Sequence, residues 1–175
     1  MSYSLSIYST NDHLLAKEEL QSHMANKGWE LAFVTDLNDN TLLSIEGPVE
    51  NGMIVYGWKA KDESATHFRD FLAEENIPEL LALPVADFAV FSCEISYTSP
   101  YDVNLDMDEE ELAEREEFDE AYVAALREAT IAYEVTSGRW GSIKFTCDVW
   151  QTIGHLVGGL LDDAHEGKHE FLTQS

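Results

Sequence analysis

The chain has 175 residues, and its 34 Asp and Glu against 10 Lys and Arg give a formal charge of −24. Nucleic acid and anionic lipid carry the same sign and would repel it, whereas a basic protein surface would be drawn to it and captured faster. Hydrophobic residues at 45%, aromatics at 11% and only 10 Gly and 4 Pro exclude an acidic disordered tail and fit one globular domain, residues 1–175, with a core able to offset the self-repulsion.

The opening Met1-Ser2-Tyr3-Ser4-Leu5-Ser6 lacks a basic n-region and a long apolar h-region. No apolar run approaches the roughly 20 residues of a membrane span. A cytoplasmic location with no membrane partner is the expectation. Tyr3, Leu5 and Ile7 alternate with Ser4, Ser6 and Tyr8 as a first strand. Ser9-Thr10-Asn11-Asp12 then offers N-caps for a helix carrying Ala16, Leu20 and Met24, which Asn26-Lys27-Gly28 ends.

Residues 29–34, 41–46 and 52–59 are rich in branched and aromatic side chains and are separated by turn residues, Asn51-Gly52 above all. They predict an antiparallel meander. Asp62-Glu63-Ser64 caps a helix with Ala65, Phe68, Phe71 and Leu72 on one stripe, stopped by Ile77-Pro78, and residues 80–84 form a packed turn. From 88 to 97 the period becomes two. Ala89, Phe91, Cys93, Ile95 and Tyr97 share one face of a half-buried strand, with Ser92, Glu94 and Ser96 on the other.

Residues 106–120 hold ten acids (106, 108, 109, 110, 111, 114, 116, 117, 119 and 120) and one base, Arg115. Phe118, Tyr122, Ala125 and Ala129 follow at helical steps, with Leu112 and Leu126 close to the same side. This predicts an amphipathic helix with acids crowded into its first turns, where the macrodipole favours negative charge. Ile131, Tyr133 and Val135 alternate as a strand until Ser137-Gly138. Ser142 caps a last helix with Phe145, Val149, Ile153 and Leu156 as its stripe. Gly158-Gly159 stops it, and Leu160-Leu161 with His169-Glu170-Phe171-Leu172 reads as a terminal hairpin. The fold class expected is α+β: a single domain with a mainly antiparallel sheet covered by about four helices.

Sites for chemistry are weak. Asp102, Asn104, Asp106 and Asp108 imitate the alternate ligands of a calcium loop, but its sixth place is Met107 instead of Gly and its twelfth is Ala113 instead of Glu. The segment reads as a solvated acidic lead-in. His165 and His169 beside Asp162, Asp163, Glu166 and Glu170 would suit zinc on a helix, but Gly167 and Lys168 between them favour a polar turn. Cys147 with His155, or Ser142 with His155 and Asp148, supplies nucleophile and base types without a supporting motif. Residues 147 and 155 lie about 12 Å apart along a helix. Gly138-Arg139-Trp140-Gly141 could hold an anion near a helix N-terminus, although packing of Trp140 is the plainer reading. Cys93 and Cys147, 54 positions apart in apolar segments, read as reduced thiols. No catalytic residue, metal or cofactor is expected.

The acidic run is the remaining signal. Like charges four apart, such as Glu110 and Glu114, each destabilise a helix by a few tenths of a kcal/mol, so a partner that answers them is preferred over mere solubility. The last part of the chain carries a strand, a turn with Arg139-Trp140-Gly141, a helix, and then Gly158-Gly159-Leu160-Leu161-Asp162-Asp163-Ala164-His165-Glu166-Gly167. Over roughly residues 131–170 this resembles a group of small acidic bacterial cytosolic proteins, several of them immunity proteins that neutralise polymorphic or type VI secreted toxins. The resemblance implies a non-enzymatic inhibitor that covers a cognate toxin, and transfers no binding residue. A toxin with a basic cleft would complement the charge. Candidate contact residues are Asp106, Asp108, Glu109, Glu110, Glu111, Glu114, Glu116, Glu117, Asp119 and Glu120, with Tyr101 and Met107 as apolar anchors. The alternatives are a nucleic-acid mimic that blocks a DNA-binding protein and an enzyme with an unrecognised metal site.

Overall fold

The computed structural model describes residues 3–11, 13–35, 42–60, 88–98, 109–117, 119–138, 143–163 and 166–172. They form β1 (Ser4–Ser9), α1 (Lys17–Asn26), β2 (Glu30–Val34), β3 (Met53–Ala60), β4 (Phe88–Thr98), α2 (Glu109–Glu116), α3 (Glu120–Glu128), β5 (Ile131–Ser137), α4 (Ile143–Val157), β6 (Gly159–Asp163) and β7 (Lys168–Leu172). The strands make one seven-stranded sheet in the order β2-β3-β4-β5-β1-β6-β7. Every neighbouring pair in it is antiparallel. The expected α+β fold with an antiparallel sheet is therefore present, with four helices among the described residues.

Alternation along the strands sorts side chains onto two faces. One face carries Ile7, Leu31, Phe33, Val55, Cys93, Ile95, Tyr133, Val135 and Leu161, and α1 and α4 cover it with Leu20, Met24, Phe145, Val149 and Ile153. Contact is close enough to require glycine. A Cβ on Gly57 would lie 2.2 Å from the Phe145 ring, and one on Gly154 would lie 2.3 Å from Leu161. Polar edges of this core are paired. Trp29 Nε1 donates to Asp148 Oδ2 at 2.9 Å, Trp150 Nε1 donates to the Ser6 carbonyl at 2.8 Å, and the Tyr133 hydroxyl accepts from Leu15 N at 3.1 Å.

On the opposite face α3 lies over β1 and β6, and its Tyr122, Val123 and Leu126, together with Leu112 of α2, are buried against Leu160 and Tyr8. Gly159 holds the turn from α4 into β6 at φ +122°, and a Cβ there would lie 2.1 Å from the Tyr8 carbonyl oxygen, so a side chain has no room. This turn places β6 beside β1, and β6 carries β7 to the edge of the sheet.

Three expectations need correction. The first helix starts at Lys17, after an extended Ala16 that bridges to Pro48. Asn11 instead closes a local turn by accepting from His13 N at 2.9 Å. The meander loses its middle strand. Of residues 42–49, only Leu42 with Val34 and Pro48 with Ala16 make isolated bridges, and β2 pairs directly with β3. The acidic helix is two helices, because Asp119 leaves the helical conformation and caps α3, its Oδ1 accepting from Tyr122 N at 3.1 Å. The helix expected after Ser64 and the turn at 80–84 lie outside the described residues.

Candidate protein-binding surface

Helix α2 presents its carboxylates outward because one position faces the body. Leu112 is buried, and Glu110, Glu111, Glu114, Glu116 and Glu117 are exposed. Among the described residues the carboxylates of Glu110, Glu114, Glu116 and Glu117 have no ion-pair partner. The nearest base does not answer them. Arg115 turns its guanidinium over the Tyr122 ring, 4.2 Å from the centroid.

The break between the helices changes the electrostatics. In one continuous helix these acids would occupy early turns, but Glu114 and Glu116 instead sit in the last turn of α2. Unsatisfied carbonyls make that end negative, so carboxylates there are unfavourable by about 0.3–1 kcal/mol each at low salt. Glu120, in contrast, lies in the first turn of α3, where its charge is favourable.

Asp119 is engaged within the fold. While Oδ1 caps α3, Oδ2 lies 3.1 Å from His169 Nε2 on β7. The Tyr122 hydroxyl donates to Asp162 Oδ2 at 2.8 Å, and its ring lies 5.1 Å from that of His169. His169 in turn meets Phe171 edge-on at 5.8 Å. Burial, and then the hydrogen bond to the Asp162 carboxylate, push the Tyr122 phenol above the usual tyrosine range. The ring series Tyr122, His169, Phe171 thus ties the acidic helices to the sheet edge, and it ends in a Phe171 that is 51% exposed.

Of the sequence-derived contact residues, Tyr101, Asp106, Met107 and Asp108 lie outside the described residues. Glu109 opens α2. Glu110, Glu111, Glu114, Glu116, Glu117 and Glu120 share the exposed surface of the two helices, and Asp119 is half-buried beneath it. Sequence reasoning missed Arg115, Tyr122, Asp162, His169 and Phe171 as a group. Only the alternation of His169 and Phe171 within one strand hinted at it.

The other constellations are dispersed or otherwise occupied. Asp148 accepts from Trp29 and lies 3.6 Å from Lys144. Cys147 and His155 stand eight residues apart on α4. Both cysteines are free thiols; Cys93 is buried and Cys147 half-buried, and burial pushes each above its ordinary range. Ser142, His165 and Arg139-Trp140-Gly141 lie outside the described residues. Among the described residues no group of three His, Cys, Asp or Glu side chains could hold a metal ion, and no helix is long and apolar enough to cross a membrane. No family model, curated protein or solved structure matches the chain.

Proposed function

We propose that this chain is a non-enzymatic binding protein that captures a basic protein on the exposed face of α2 and the α2–α3 junction. This is the behaviour expected of an immunity protein that neutralises a secreted toxin. One observation carries the reading: Glu110, Glu114, Glu116 and Glu117 are exposed and lack ion-pair partners among the described residues, and two of them stand where the helix dipole opposes them. A fold that keeps unfavourable charge has a use for it outside itself. A basic surface would relieve the repulsion on binding. The long-range field of a chain at −24 would raise the association rate from about 10⁵–10⁶ M⁻¹s⁻¹ toward 10⁸ M⁻¹s⁻¹ at low salt.

The test is co-purification of the full chain with the product of its neighbouring gene, followed by rescue of that product's toxicity on co-expression. Association kinetics are then compared with those of Glu110→Lys/Glu114→Lys/Glu117→Lys. Lysine is as good a helix former as glutamate, so α2 survives. The association rate falls at least tenfold at low salt, and its salt dependence flattens. Equal rates for the two proteins would remove this surface from the account.

A further inference from the structure

The proposed capture of a basic protein leaves open how its chain is held, and the sheet edge that meets Asp119, between α2 and α3, bears on this. Strand β7 ends the sheet, with β6 on one side. Its register from Lys168 to Leu172 against Asp163 to Gly159 is continuous and carries no bulge. Four of its five residues are exposed and the last is half-buried. Along its outer side the backbone N–H and C=O groups have no strand partner among the described residues. Natural edges are guarded by proline, bulges or charged side chains. Here Lys168 and Glu170 lie on the α1/α4 side, opposite Asp163 and Leu161, whereas the α2/α3 side shows His169 and Phe171.

We infer that β7 is a strand-addition edge that pairs with an extended segment of the basic partner. Resting on the reading of α2 as the capturing surface, this names the form of the partner's contact. Side chains of an added strand alternate between the two faces of the sheet, so every second one would project on the side where α2 meets α3. Glu116 and Glu117 precede by three and two residues the Asp119 that touches His169. An extended segment with Lys or Arg at alternate positions fits that arrangement: its backbone completes the β7 ladder, its cations meet these carboxylates, and its apolar stems cover Phe171. The charge works against the self-paired alternative. Two copies joined through β7 would bring together chains of −24 each, with the Asp119 of each copy close to the seam.

The probe is a synthetic ten-residue peptide alternating lysine and threonine, set against a peptide of the same composition with its lysines in one block and its threonines in another. Binding to the full chain is measured at about 50 mM salt, where electrostatic attraction reaches beyond 10 Å. The alternating peptide binds at least fivefold tighter than the blocked one and slows hydrogen exchange at amides of residues 168–172. Phe171→Ala weakens it at least threefold while the amides of residues 159–163 keep their protection, so that β6 stays in the sheet. Equal binding of the two peptides with unchanged exchange in β7, abolished by Glu110→Lys/Glu114→Lys/Glu117→Lys, would overturn strand addition and leave capture by α2 standing. Binding that is selective for alternation and unaffected by that triple variant would remove α2 and keep the edge. No binding of either peptide overturns both, and protection of β7 that grows with protein concentration alone would assign the edge to a second copy.

Discussion

Neutralising Glu114 and Glu116 together, as Glu114→Gln/Glu116→Gln, should make the protein more stable while weakening its capture of a basic partner. Glu114 faces Glu110 and Glu111 at helical spacings of four and three, and each like-charge neighbour costs about 0.3 kcal/mol. Both residues oppose the dipole in the last turn, at about 0.3 kcal/mol each for exposed side chains. Glutamine matches glutamate closely in helix propensity, so these contributions are not offset. They come to about 1 kcal/mol, which for a chain of 175 residues corresponds to a rise of about 2–4 °C in Tm. The assay is thermal unfolding followed by circular dichroism at about 20 mM and about 1 M salt. At the higher salt the screening length contracts to about 3 Å and most of the gain disappears. An unchanged or lower Tm at low salt would refute the claim that these carboxylates strain α2, and with it the argument that they are kept for a partner.

Replacing Asp119 separates its two roles: Asp119→Ala removes the α3 cap and destabilises by about 1 kcal/mol in urea titration, whereas Asp119→Asn keeps an accepting oxygen and stays within about 0.5 kcal/mol of the parent. The Tyr122 phenol titrates above its unfolded value of about 10. A raised native pKa contributes stability that is complete below pH of about 10 and is lost as pH climbs toward the native value. Tyr122→Phe should therefore show a shallower alkaline loss of stability above pH of about 10, measured by urea midpoint against pH, and an unaltered slope would contradict the assignment. Gly57→Ala drives a methyl into the buried Phe145 ring and should cost about 1–3 kcal/mol. A loss below 0.5 kcal/mol in the same titration, an order-of-magnitude floor for overpacking, would show that Phe145 can move aside.

What could be read in the sequence was what repeats over short distances. Val149, Ile153 and Leu156 recur at helical steps, and α4 follows them to the Gly158-Gly159 stop. Cys93 and Ile95 alternate into the core of β4, although Ser92, assigned to the open face, is buried as well. The break at Asp119 was hidden because the residue was counted as one more charge and not as a cap. Its neighbours Glu117 and Glu120 are equally acidic, and only the backbone reveals which oxygen accepts from Tyr122. The cluster around His169 depends on an arrangement with no local signature. Strand β1 lies between β5 and β6, and this brings residues 119 and 122 beside residues 162 and 169, which no period within a single element predicts.

The slender attachment of α2 has its own consequence. Among its described side chains Leu112 alone is buried, and Arg115 adds its stacking on Tyr122 of α3. Breaking so few apolar contacts requires far less free energy than dismantling the sheet, so α2 belongs to the part of the molecule that opens first. Such an opening would leave every strand pairing of the sheet intact, because α2 takes no part in that ladder.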